Sequence, residues 1–198
     1  LGRVVRYRDH GYEYEADPKH RRLVLEYLNL SDESRSVKVN GEKDGRPREG
    51  DEAELDREES RECRGVVARM NFLSLDCPDL QFTVKSCSRE MAKPNVGSWR
   101  EVKRLGRWLI GREAIVWVFE WQDEVEVSEV VTDSDWGGNC KDRKSTSGGV
   151  WRIGKHTIKT WSASQGAFAL SSAEAELYAM VEGVTRAKGL LSLAKELG

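Results

Sequence analysis

No stretch of this 198-residue sequence approaches the ~20 consecutive apolar residues that a bilayer-crossing helix needs, which excludes a membrane span of that kind. The amino terminus carries Arg3, Arg6 and Arg8 but no apolar run behind them and no small-residue cleavage site, so secretion is not indicated. Cysteine is scarce. The four present (Cys63, Cys77, Cys87, Cys140) have 13, 9 and 52 residues between them, with no C-x-x-C pair and no histidine at zinc-finger spacing. They read as structural thiols in a reducing, intracellular compartment. Charge of one sign is not in excess either: 32 Lys and Arg against 34 Asp and Glu leave a net charge of −2. A globally basic nucleic-acid binder would show a pI above ~9, so any such surface must be local. The chain starts at Leu1 rather than Met and is read as a piece of something longer.

What is there begins with a hairpin over residues 3 to 16, where Val4, Val5 and Tyr7 lead into Asp9-His10-Gly11 and Tyr12 to Glu15 alternates with period two. Asp17 then offers an N-cap and Pro18 a first helical position, with Leu23, Leu25 (less well phased), Tyr27, Leu28 and Leu30 as apolar surface. From Gly41 to Glu62, fifteen of twenty-two residues are charged, ten of them acidic, and Leu55 is the one large apolar residue. Such a segment buries too little surface to offset its ordering entropy, so residues 41–62 are expected to be an acidic linker or exposed loop.

Helical spacing resumes at Val66, Val67, Met70 and Leu73 and breaks at Cys77-Pro78, because the residue before proline is pushed out of the α region. Asp79 is the expected cap of a second helix carrying Leu80, Val84 and Cys87, and a third is expected from about Ser98 to Leu109. That third helix gathers Arg100, Lys103, Arg104 and Arg107, with Arg112 just beyond, around Trp108. Basic groups interleaved with an aromatic suit a phosphate backbone, while a solvated polar face around one buried tryptophan has the same composition.

Strand character follows at Ala114 to Trp121 and again from Val125 toward Asp133, then at Gly148 to Ile153 and His156 to Trp161 across a Gly154-Lys155 turn. After Ser171-Ser172, Glu174 and Glu176 suit the positive end of a helix dipole, and Leu177, Met180, Val181, Val184, Leu190 and Leu191 form an apolar stripe expected to lie on the sheet. Asp133 and Asp135 at a strand end, with Glu174 and Glu176 on a helix's first turns, are carboxylates delivered from two elements, as hard divalent cations require. By themselves they would serve equally as turn formers and dipole-complementing residues. The D-x-D-x-x-G of 133–138 is too short for a calcium loop and lacks its bidentate glutamate.

Asp133-Ser134-Asp135-Trp136, Arg143-Lys144-Ser145-Thr146-Ser147-Gly148, Trp161-Ser162 and Ala169-Leu170-Ser171-Ser172-Ala173-Glu174-Ala175-Glu176 together resemble the ribonuclease H region of copia-type retrotransposon Pol polyproteins, which reads like D-A-D-W-A-G, R-K-S-T-S-G, W-x-S and A-L-S-S-T-E-A-E-Y. Upstream, Cys63-Arg64-Gly65-Val66-Val67, Pro78-Asp79-Leu80-Gln81-Phe82 and Lys103-Arg104-Leu105-Gly106-Arg107-Trp108-Leu109 are similar to the connector of those polyproteins, and residues 1–40, less specifically, to the end of the reverse transcriptase. The polymerase's paired-aspartate motif is not in the sequence. The resemblance implies a mixed fold, α+β or α/β. It comprises a partial ribonuclease H-like domain at 127–198 (a three-stranded antiparallel sheet plus one helix), preceded by a β-hairpin–helix segment at 1–40, the linker at 41–62, and a helical connector with a strand at 63–126.

By motif position, Asp133 resembles the first metal-binding aspartate and Glu176 the helical glutamate. Asp135, two residues on, points the same way as Asp133 if the strand persists. Glu174 points about 200° from Glu176 on a helix, so only one of the two shares the site, and Glu176 is the expected one. The implied cofactor is Mg²⁺. The implied partners are an RNA–DNA hybrid or other nucleic acid, bound through Arg100, Lys103, Arg104, Arg107 and Trp108, and the remainder of the polyprotein. The family uses four carboxylates and only two positions match here, with the others expected beyond Gly198, so the chain alone is expected to be inactive. The strand leading to Asp133 is expected to have an unpaired edge. The other reading is a non-catalytic, host-retained nucleic-acid-binding or interaction module that kept the fold and lost the reaction.

Overall fold

The computed structural model describes residues 2–41, 48–112, 115–125, 127–139 and 141–197. Cys140 and the first part of the expected acidic linker, residues 42–47, lie outside the described residues. The protein is α+β, with two three-stranded antiparallel sheets and five helices among the described residues, and it divides into two compact units, 1–118 and 119–198.

The first unit opens with the hairpin β1 (Val4–Arg8) and β2 (Gly11–Glu15). Gly11 takes a φ of 148° where the chain reverses, a conformation closed to most side chains. Helix α1 (Pro18–Tyr27) starts as its sequence signals, with the Asp17 carboxylate accepting from the Lys19 N–H and Pro18 at the first position. Then come α2 (Arg57–Ser74), α3 (Pro78–Arg89), α4 (Val96–Leu109) and β3 (Val116–Glu120). In the sheet the order is β1-β2-β3. Thus the apolar run near 114–121 joins the amino-terminal hairpin. Val24, Val66, Val67, Met70, Leu80, Val84, Val102 and Leu105 are fully or almost fully buried in one cluster, which Leu28, Leu30 and Val37 also join. Residues 1–40 and the helices after 57 therefore share one core, where the sequence suggested separate segments.

Two local expectations change. The stretch from 48 to 56 is largely exposed and lies in no helix or named strand, but α2 begins at Arg57, capped by Asp56 through the Glu59 N–H, and Asp51 is buried against α4. Glu58 and Glu59 in the first turn face the positive end of the helix dipole, so acids that argued for a linker serve as a helix start. For α3 the cap position is Cys77, and Asp79 lies inside the first turn, because Pro78 takes the first helical position itself. Cys63, Cys77 and Cys87 are buried free thiols; burial pushes the Cys77 thiol up to about 11 and raises the other two. Such thiols are inert packing groups.

The second unit is a meander, β4 (Ser128–Asp135), β5 (Thr146–Ile153) and β6 (His156–Ser164), followed by α5 (Ser172–Leu197). The order β4-β5-β6 leaves β4 at an edge, as expected for the strand leading to Asp133. Gly154, with a φ of 56°, makes the β5–β6 turn. Helix α5 lies on one face of this sheet through small residues. Ala175 and Ala179 are buried, and a Cβ on Gly183 would stand 2.5 Å from Thr132 Cγ2 and 3.0 Å from Val130 Cγ1. Between helix and sheet, Trp151, Trp161 and Ala187 of the helix form the core, with Val130, Ile153 and Leu190 packed alongside. The larger apolar residues expected there point elsewhere: Leu177, Met180, Val181, Val184 and Leu191 are exposed, and of the expected stripe Leu190 alone packs inward. Flat tryptophans fill the space, so the helix approaches closely only with its alanine and glycine side.

Candidate functional site

The carboxyl end of β4 carries Asp133 and Asp135, and the start of α5 sends Glu176 to the same strand from the opposite face. Along this strand Val130, Thr132 and Ser134 are half-buried toward α5 while Glu129, Val131, Asp133 and Asp135 are exposed, the alternation that a pleated strand imposes. Asp133 and Asp135 therefore share a face, and it is the face turned away from the helix. Glu176, in the first turns of α5, reaches across to the strand, where its Oε1 accepts hydrogen bonds from Ser134 Oγ (2.7 Å) and the Ser134 N–H (3.2 Å). That N–H is the one in the peptide joining Asp133 to Ser134. The helical glutamate is thus brought to the main chain of the Asp133 position, at the sheet's open edge.

Glu174 does something else. It accepts from the Tyr178 hydroxyl at 2.6 Å and from the Leu170 N–H at 2.7 Å, and these two bonds, the phenol first, hold its carboxyl below the usual range. It fastens the loop entering α5. The Asp135 carboxylate folds over the turn after β4, where a Cβ on Gly138 would meet it, and this exposed side chain has room to swing aside. Trp136 anchors the same turn by donating Nε1–H to the Ala169 carbonyl at 3.0 Å.

Two polar residues behind this edge carry no signal in composition. Gln165 is buried and donates from Nε2 to Ala175 O (2.8 Å) and Ser147 Oγ (3.1 Å), which fixes the start of α5 against β5. Ser145 Oγ accepts from the Gly137 N–H at 3.0 Å. Ser134 could have been found, since a residue between two outward aspartates on a strand must face the helix.

The donor set can be weighed against a magnesium centre. Carboxylate oxygens are right in kind for Mg²⁺. In number they fall short: among the described residues no three of His, Cys, Asp and Glu gather as a possible metal site, and Oε1 of Glu176 is already engaged by two donors. The residues present do not fit a two-ion centre.

The basic helix α4 is only partly a surface. Arg100 is spent on Asp51, with Nη2 at 2.7 Å from Oδ2 and a second contact from Nη1 to Oδ1. Arg104 donates from Nε to the Gly41 carbonyl at 3.0 Å and is half-buried. Trp108 is 7% exposed, inside the core, with Arg112 over its ring and donating to its carbonyl at 2.8 Å. Lys103 and Arg107 remain exposed, Lys103 with its ammonium 4.8 Å from the Trp99 ring centre.

An α+β protein whose edge strand carries outward aspartates and takes a helical glutamate on its main chain is the class that the fold and this edge define. Its relatives narrow that. The chain is 31% identical over 137 residues to a "Retrovirus-related Pol polyprotein from transposon RE2" of Arabidopsis thaliana, and 29% identical over 137 residues to that from transposon RE1; each alignment covers 69% of this chain. It is also 29% identical over 122 residues to "Secreted RxLR effector protein 161" of Plasmopara viticola, which covers 62% of this chain and 85% of that protein. The likeness places the chain with the retrotransposon Pol polyproteins, and it fits a fragment of a copia-type Pol. The matched stretch is 9% of the length of those two polyproteins. No family model matches the chain. No solved structure is significantly similar to it.

Proposed function

We propose that the chain is the stretch of a copia-type Pol that runs from the end of the reverse transcriptase through the connector into a ribonuclease H-like domain. Residues 127–198 are part of that domain, and the parent hydrolyses the RNA strand of RNA–DNA hybrids inside the cell with Mg²⁺. Asp133 and Glu176 descend from its metal-binding pair, with Asp135 beside them. The observation that carries this is the Glu176 carboxylate bonded to the Ser134 N–H, a helical acid delivered to the peptide that follows Asp133. The Pol relatives support it.

The chain alone should not perform the reaction. Hydrolysis by two ions ~3.5–4 Å apart needs enough negative charge to hold both, and among the described residues no three of His, Cys, Asp and Glu gather to supply it. With a labelled RNA–DNA hybrid and Mg²⁺ or Mn²⁺, cleavage is expected at background; cleavage that Asp133→Asn abolishes would overturn this.

Hybrid binding would use the two exposed cations of α4. Replacing Lys103 and Arg107 by alanine is expected to lower the slope of log affinity against log salt by about 0.7–0.9 for each cation, read by fluorescence anisotropy. An unchanged slope would take this helix out of the interface. The second reading, a non-catalytic interaction module, is favoured by one observation: the effector-protein relative consists largely of the matched region, so a protein built mostly of it exists without the rest of a Pol.

A further inference from the structure

Residues 119–125, at the start of the second unit, form a strap over the turn between β5 and β6. Gln122 and Val125 lie so close to Gly154 that a Cβ there would meet Gln122 Oε1 and, at 2.9 Å, Val125 Cγ2. The Gln122 amide accepts at Oε1 from the Lys155 N–H (3.0 Å) and donates from Nε2 to the Ile153 carbonyl (3.3 Å). Both partners are main-chain groups with fixed roles, so the orientation of the amide is fixed with them. His156 joins the same array. Its Nδ1 stands 3.2 Å from Gln122 Nε2, its Nε2 2.8 Å from the Glu120 carbonyl, and its ring meets Phe119 nearly edge-on with centroids 5.4 Å apart. A carbonyl only accepts, so His156 Nε2 carries the proton; an amide nitrogen only donates, so Nδ1 is bare. The array therefore admits one form of the ring, the neutral Nε2–H tautomer.

We propose that His156 is an acid-released latch, which holds the strap on the β5–β6 turn while its ring is neutral and frees it when Nδ1 takes a proton. The added N–H would point at the N–H of Gln122. Turning the Gln122 amide over gives no relief, because Oε1 would then face the Ile153 carbonyl and Nε2 the Lys155 N–H, leaving both main-chain groups without a bond. The surrounding charges favour the open form. Glu120, Asp123 and Glu124 lie on the strap; Lys155, on the turn, has its ammonium 3.9 Å from the Glu120 carboxylate, and Arg152 of β5 is paired with Glu129 at 3.6 Å. A protonated ring that leaves the array thus has carboxylates to pair with. Three residues beyond Val125 the chain enters β4, so the latch sets how firmly the chain is held on its way into the strand of Asp133. The inference concerns this array alone and does not rest on the ribonuclease H reading.

Nuclear magnetic resonance of the full chain between about pH 8 and about pH 5, the range in which histidine serves as a switch, tests it. At the upper end the imidazole nitrogen shifts should show a protonated Nε2 and a bare Nδ1. On acidification the Gln122 side-chain amide and the Lys155 N–H should shift together with the ring, and protection of the Lys155 amide against solvent exchange should fall by about tenfold, the worth of one good hydrogen bond. Gln122→Glu should reverse the sign, because a carboxylate accepts from the protonated ring, so that protection of Lys155 rises as pH falls. If that variant loses the circular dichroism of the parent, Gln122→Met, which deletes donor and acceptor together, should leave the Lys155 signal indifferent to the ring. An Nδ1–H tautomer near neutrality, a Lys155 amide in the parent that ignores the ring, or a folded Gln122→Glu variant that responds as the parent does would each overturn the proposal.

Discussion

Gly149→Ala is expected to unfold or severely loosen the 119–198 unit, at a cost of about 3 kcal/mol or more, the upper end for overpacking a core. The added Cβ would stand 2.0 Å from Cζ2 of Trp161, well inside contact distance, and an indole has no flexible end to swing aside. The ring has little freedom on the other side, since a Cβ on Gly183 of α5 would lie 3.7 Å from the same atom. Relief requires moving the helix off the sheet. The core it would leave is thin, with three buried residues at its centre. Loss of near-ultraviolet dichroism and of amide-exchange protection over 146–164 is the result to look for; protection indistinguishable from the parent would refute the packing described.

Asp51→Ala is expected to destabilise the other unit by about 2–3 kcal/mol, somewhat less than the ~3–5 of a fully buried pair because the Arg100 side chain keeps 27% exposure. The carboxylate accepts from Arg100 and, at 2.6 Å, from the Arg48 N–H, and together these hold its carboxyl below the usual range. A depressed carboxyl stabilises the fold at every pH above the ordinary value near 4, and that contribution is lost as pH falls through the depressed value. The parent should therefore lose stability on acidification below about pH 4 more steeply than the variant. Urea midpoints measured between neutrality and about pH 2.5 decide it, and parallel pH profiles would argue that the Asp51–Arg100 bond contributes nothing.

Much of this was legible where the signal is local. The hairpin, the Asp17-Pro18 start of α1, the Gly154 turn and the meander into α5 follow from period, caps and turn residues that lie within a few positions of each other. The start of α2 was hidden because acid-rich composition is shared by spacers and by first helical turns. Arg100 looked available for phosphate because its partner is 49 residues away. The orientation of α5 was reversed for a different reason. Periodicity shows that a helix has an apolar stripe, and this one has two, one of large residues and one of Ala175, Ala179, Gly183 and Ala187; only the shape of what lies beneath chooses between them. At the candidate site, the strand position of Asp133 and the helical position of Glu176 were readable from motif order. The serine between the aspartates, which receives Glu176, follows from strand alternation.

The open border of β4 is a hazard common to sheets with a free edge, since bare amides invite another strand to join. Here Glu129, Asp133 and Asp135 stud one side of it at alternate positions, and the Glu176 carboxylate occupies the Ser134 amide. A like strand laid alongside would meet negative charge on negative charge and find that donor taken. These acids thus act as gatekeepers against fibril growth, a duty that needs neither metal nor substrate.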